Sequence, residues 1–194
     1  MTIGLKDLVY AKMTVGEDGK VSYGAVKKLA EAMTADLSVT VAEGVLYADD
    51  AVSESVKEFV KGALKLGIKD LETATVADIL GQEVDAENVI YGGADDEPPY
   101  LAVGFRAKKT GNKYRYIWLY MVKFKIPNEK FQTKGEAIQF NTPEIEGEFF
   151  KRADNGRWKA DYVGLETDTV AKEFLSTVRE FKAAAEEPEG TQEA

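Results

Sequence analysis

The sequence predicts a mainly β protein with minor α. Apolar and polar side chains alternate with a period of two from Leu37 to Tyr47, from Leu101 to Phe105 and from Tyr114 to Ile126. Turn-forming stretches such as Asp18-Gly19 and Asp154-Asn155-Gly156 separate such runs. Helical spacing of apolar residues is confined to short segments.

The first strand is expected over residues 8–15 (LVYAKMTV), closed by the turn GEDGK. Residues 23–35 place Val26, Leu29, Ala30 and Met33 at helical spacing over barely two turns, so that segment reads as a helix or as a loop into the next strand. From Leu37 the period is two, with Leu37, Val39, Val41, Val45 and Tyr47 on one face, and the strand stops where Asp49 and Asp50 favour a turn. Residues 52–69 suit a helix through Val52, Val56, Phe59, Val60, Ala63 and Leu64. Their second half is read as a strand: Val60, Leu64, Leu66 and Ile68 alternate with lysines, and Gly62 and Gly67 would each weaken a helix by about 1 kcal/mol.

Thr75 followed by Asp78 resembles a capping box, and Gly81 is placed to end the short helix it begins. A strand at NVIYG (88–92) and an acidic, proline-stiffened loop GADDEPPY (93–100) follow. The run YLAVGFRAKK then turns through KTGNK into KYRYIWLYMVKFKIP (113–127). One face of that strand would carry Tyr114, Tyr116, Trp118, Tyr120, Val122, Phe124 and Ile126, the other Ile117, Leu119 and Met121 between charged ends. Residues 100–126 thus form one hairpin of about 40 Å, long enough that part of it is expected to project beyond its own subunit; one face of the long strand would pack on its own core, and Ile117, Leu119 and Met121 would pack against a helix or a neighbouring subunit. Beyond Pro127, a strand RWKADYV (157–163) follows the turn at Asp154 to Gly156. A C-terminal helix is expected near 168–185 with the stripe Val170, Phe174, Val178 and Phe181. Residues 1–185 read as a single domain and 186–194 as a disordered acidic tail.

Composition restricts the chemistry. At 194 residues and 44% hydrophobic content the chain can bury a core, and it contains neither cysteine nor histidine, so disulfides, thiolate chemistry and imidazole bases or ligands are excluded. A formal net charge of -9 disfavours sequence-specific binding of nucleic acid. No basic leader with a long apolar run and no apolar window of spanning length occurs, so no membrane partner is expected.

Glu144, Glu146 and Glu148 alternate on one strand face about 6.6 Å apart, a spacing that could serve carboxylate hydrolysis of glycosides or a plain solvated face. Asp49-Asp50 and Asp95-Asp96-Glu97 offer oxygen ligands without the spacing of a calcium loop, so no metal or cofactor is expected. Arg106, Lys108, Lys109, Lys113 and Arg115 cluster with Tyr114 and Tyr116 at the hairpin turn, where they could hold single-stranded nucleic acid, or meet Asp95, Asp96 and Glu97 of a second copy.

At LYADD (46–50), GALKLGIKDL (62–71), PPYLAVGFRAKKTGNKYRYIWLYMVKFKIP (98–127), KFQTKGEAIQFNTPEIEG (130–147) and the C-terminal helix, the chain resembles the major tail proteins of long-tailed bacteriophages, the phi13-type tail tube family. The resemblance runs in order from about Tyr10 to Phe181, with 23–35 matching loosely and the acidic end unmatched. It implies two packed β-sheets flanked by a helix, six subunits closing a ring whose inner wall is a β-barrel, and rings stacked into a tube. The implied partners are further copies of the chain, the tape measure protein, the tail terminator, distal tail proteins and passing DNA. The implied place is the virion tail, assembled in the bacterial cytoplasm, and no catalytic residue or cofactor is implied. In such a tube Asp49, Asp50, Glu144, Glu146 and Glu148 are candidates for the lumen, where carboxylates would repel phosphate. Two other functions fit the residues: a β-sandwich module that binds carbohydrate or a host surface, and a hydrolase built on the glutamates.

Overall fold

The computed structural model describes residues 2–48, 51–128 and 142–182. In chain order the elements are β1 (Thr2–Val15), β2 (Val21–Tyr23), β3 (Lys27–Ala30), β4 (Ala32–Ala48), β5 (Ala51–Ile68), α1 (Thr73–Leu80), β6 (Glu83–Val84), β7 (Ile90–Tyr91), β8 (Leu101–Lys109), β9 (Lys113–Phe124), β10 (Glu144–Phe149), β11 (Lys159–Leu165) and α2 (Thr169–Phe174). The protein is mainly β with minor α, as its alternating runs predict.

A nine-stranded antiparallel sheet follows the order β2-β1-β8-β9-β10-β5-β4, with β3 on β1 and β11 on β9; β6 and β7 form a separate pair. The large sheet curls on itself. β3 pairs with β1 and runs almost directly into β4, which pairs with β5, so the two ends of the strand order are brought together around one core. The two packed layers are opposite walls of this sheet. Between them lie Leu8, Leu64, Leu66, Ile68, Leu101, Val103, Leu119, Ile145 and Phe149, and Ile79 and Leu80 of α1 close the core.

The centre of β9 is apolar on both faces because both faces are covered by the chain itself. Ile117, Leu119, Val122 and Phe124 enter the core between the sheet walls. Tyr116, Trp118 and Tyr120 point outward under α2, against Phe174, Ala171 and Val178. The continuous face expected from Tyr114 to Ile126 is interrupted, because Leu101 pairs with Val122 while Val103 pairs with Leu119. That extra residue on β9 is a bulge, which turns Val122 and Phe124 inward. It is Ile117 and Leu119 that enter the core, while Tyr116, Trp118 and Tyr120 meet the helix. The hairpin of β8 and β9 is therefore largely core, contrary to the projection expected of it. The projecting hairpin is the one formed by β4 and β5.

Three further expectations are corrected. Residues 23–35 form β2, β3 and the start of β4 instead of the helix or loop expected, and residues 52–59, left open between helix and strand, continue β5. Thr75 and Asp78 do not cap α1: the helix starts at Thr73 after Glu72, and Asp78 reaches Tyr10, Lys12 and Lys27. Gly81 ends the helix as predicted, at φ 71, which glycine adopts without strain. The C-terminal helix stops at Phe174. Its further course is set by β9, where Trp118 Nε1 donates to the Phe174 carbonyl at 2.6 Å and the Tyr120 hydroxyl to the Arg179 carbonyl at 2.5 Å. The following Ser176, Thr177 and Val178 are weak helix formers, so these side-chain donors prevail over helical bonds. The tail 186–194 lies outside the described residues.

Candidate functional site

The outstanding surface feature is an arm. Among the described residues β5 is backed by β10 from Gly62 to Gly67 and by no strand beyond, while its pairing with β4 continues to Ala48 and Ala51. About eleven residues of β5 and nine of β4 thus leave the sheet as a two-stranded ribbon, roughly 30 Å long at strand rise.

Residues opposite one another in the ribbon share a face. Leu37 pairs with Leu64, Val39 with Gly62, Val41 with Phe59 and Val45 with Ser55. Leu64 is in the core, so this face of the arm prolongs the inner face of the sheet beyond the point where an opposite wall covers it. Leu37, Val39, Val41 and Val45 are left between 36% and 46% exposed. Val60 is the unpaired residue of the register shift between Thr40 and Val41, and it too is exposed, as is Val56. At the root, Phe59 stacks on Trp158 with centroids 4.8 Å apart and 3° between planes, and both rings lie against Phe149. A Cβ at Gly62 would collide with the Phe149 ring, so glycine there lets the stack seat. The arm is anchored by aromatics and bare beyond them.

The residues proposed from sequence fall into separate places. Ile117 and Leu119, at 6% and 0% exposure, belong to the chain's own core and cannot meet another subunit; Met121 is half-buried beside them. Of the basic cluster, Arg106 is held by Asp7 and by Glu166 at 2.6 Å, with its guanidinium 4.7 Å from the Tyr114 ring centroid. Burial opposes its charge, but Glu166, Tyr116 and Asp7 outweigh this and hold it more firmly protonated. Arg115 is forked onto Asp161, whose hydrogen bond raises its pKa. Neither arginine is free for a ligand. Lys108, Lys109 and Lys113 make no ion pair among the described residues and stand at the hairpin turn, where Gly111 and Asn112 have positive φ.

The glutamate strand is a charge ladder. Lys65 meets Glu144 at 2.9 Å and Glu146 at 3.5 Å, and Glu148 meets Lys61 at 3.1 Å and Lys125 at 3.2 Å. Hydrogen bonds from Lys61 and Lys125 hold the Glu148 carboxyl below its usual range. Glycoside hydrolysis needs one carboxyl kept protonated beside one ionised. Here all three glutamates are paired with lysine, an arrangement that favours the ionised carboxylate. Glu97 is bound to Lys123 at 2.7 Å, and Asp96 accepts the Gly93 amide at 2.7 Å, while Asp95 is exposed. Asp49 and Asp50 lie outside the described residues. Among the described residues no group of three or more acidic side chains is placed to hold a metal, and no helix is long and apolar enough to cross a membrane.

Sequence reasoning missed the arm as a site. Its signal was present in the apolar content of both faces of 52–60, which was read as helical spacing instead. No protein-family model matches the chain, and no curated protein compared with it matches either.

Proposed function

We propose that this protein, like the tail tube proteins it resembles, is a structural subunit that assembles with copies of itself, and that here the β4–β5 arm makes the contact. The observation that carries the reading is the bare arm. A two-stranded ribbon is marginal in water on its own, and among the described residues nothing pairs with either backbone edge of its outer part, which carries an exposed row of leucine and valine. Exposed edges and apolar ribbons invite uncontrolled pairing unless a designated partner covers them. Repeated contacts of one arm with the next copy close a ring, which leaves no edge.

In this reading six copies form the ring, rings stack into the conduit for DNA around the tape measure protein, and the assembly belongs to a phage virion. The ladder of Glu144, Glu146 and Glu148 with Lys61, Lys65 and Lys125 suits a wall along which DNA passes. Its lysines already have carboxylate partners and offer phosphate no unshared cation. Such a wall resists adhesion by local neutrality instead of by the net acidity expected from the sequence.

The test is assembly. Purified protein examined by sedimentation and negative-stain imaging over rising concentration should yield rings or tubes. Val41→Lys with Val45→Lys, both on the bare face, should weaken association roughly a hundredfold and leave the melting of the monomer close to that of the parent. A chain that stays monomeric at every concentration and in every buffer would overturn the reading.

A further inference from the structure

The charge of the molecule is sorted along the β8–β9 hairpin. Residues 70–99, comprising α1, β6, β7 and the loop into β8, contain nine carboxylates and no lysine or arginine. Asp78 and Glu97 are neutralised by Lys12, Lys27 and Lys123. Glu83, Asp85, Glu87, Asp95 and Asp96 meet no cation among the described residues. Asp85 accepts the backbone amides of Val89 and Glu87 and the Tyr91 hydroxyl, and these bonds hold it ionised.

This acidic cap sits where β8 begins, since Glu97 binds Lys123 near the end of β9 and Met13 donates to the carbonyl of Tyr100. The unpaired Lys108, Lys109 and Lys113 sit at the other end of the same hairpin. β8 alone separates the two by roughly 26 Å of strand, nearly three screening lengths in about 0.1 M salt. The two patches cannot neutralise each other within one molecule.

We infer that these poles are the stacking contact between rings: the lysine tip of one copy docks on the 70–99 cap of the copy above it. This rests on the assembly reading given above and adds to it the surface that carries the axial contact. A tip at one end that fits a cap at the other is a heterologous contact, which propagates instead of closing. A ring with cyclic symmetry presents all its tips on one side and all its caps on the other. Each exposed pair is individually weak, but contacts repeated round a ring act together. Arm contacts would make the ring, and poles would make the tube.

The experiment separates the two. In about 1 M salt, where screening acts within about 3 Å, wild-type tubes should fall into single rings that restack on dilution to about 50 mM. Lys108→Glu, Lys109→Glu, Lys113→Glu should stop at single rings at all salt concentrations, and so should Glu83→Lys, Glu87→Lys, Asp95→Lys. The first has two acidic poles, and the second keeps its basic tip beside a cap whose three new lysines offset the unpaired carboxylates left there; in an equal mixture basic tips can dock on intact acidic caps and acidic tips on the new lysines, so tubes should be restored. All six positions are on the surface, and an unchanged thermal melt confirms that each variant folds. Tubes formed by either variant alone, or tubes indifferent to salt, would overturn the polar contact and leave ring assembly standing. Wild-type protein that forms no rings would remove the assembly reading and this inference with it.

Discussion

Asp78 shows how one side chain can tie three elements. It projects from α1 between Tyr10 and Lys12 of β1 and Lys27 of β3, accepting from each at 2.7 to 2.8 Å. Burial alone would raise its pKa, but the hydrogen bonds from Lys12, Lys27 and Tyr10 outweigh it and pull the carboxyl down to about 2. Burial, reinforced by the Asp78 carboxylate, pushes the Tyr10 hydroxyl well above its ordinary range, so Tyr10 stays a donor at any working pH. Because the folded pKa lies below the unfolded value of 3.8, Asp78 contributes stability that is complete above about pH 4 and lost as pH falls through about 2. Asp78→Asn should therefore cost about 1 kcal/mol near pH 6 in urea unfolding, a value discounted for the solvent that still reaches this group. The difference from wild type should narrow steadily between pH 4 and pH 2. A pH-independent difference would remove the carboxylate from that role. Sequence points to the right residue for the wrong reason: Asp78 after Thr75 has the spacing of a capping box, but capping is decided by where the helix begins, and Thr73 begins it.

At the scale of elements, legibility follows how evenly each strand is buried. β8 and β9 are plain in the sequence because the curled sheet sets them in its centre, and the alternation of Tyr116, Trp118 and Tyr120 against Ile117 and Leu119 is kept. The bulge that turns Val122 inward comes from pairing with β8 and leaves no local mark. β5 was ambiguous over 52–59 because its outer part serves no core: Val56 faces one side of the ribbon and Phe59 the other, which erases the period of two. That same lack of a covering wall predicts dynamics. In the monomer, amides of β4 and β5 beyond Phe59 should exchange with solvent at least a hundredfold faster than those of β8 and β9, since local opening there exposes little buried surface. On assembly the arm amides should become protected, as read by mass spectrometry of exchanged peptides. Equal protection in both states would show that the arm is not covered by a partner.

For the molecule as a whole, the arm and the folded body should be separable. The body's core draws from the arm no further out than Phe59, whose ring stacks on Trp158 and Phe149, and the pair Val41 and Phe59 lies directly opposite across the ribbon. Two opposed residues can be joined by a two-residue turn, for which Asn-Gly has the required positive φ. A chain in which residues 42–58 are replaced by Asn-Gly should thus keep the curled sheet, the aromatic stack and both charge poles, unfold in one cooperative transition, and melt within a few degrees of the parent. It should remain monomeric, because the poles act only when a ring multiplies them. The outcome distinguishes the contributions of the two surfaces: short filaments without rings would show that the poles suffice for axial association, whereas intact rings would show that the lateral contact lies elsewhere on the body. This division was only half legible beforehand. The chain order already sets Asp95, Asp96 and Glu97 at the open end of the hairpin, opposite Lys108, Lys109 and Lys113, but that α1, β6 and β7 join them in one acidic cap follows only from the fold, where Asp78 reaches Lys12 and Lys27 and Glu97 reaches Lys123.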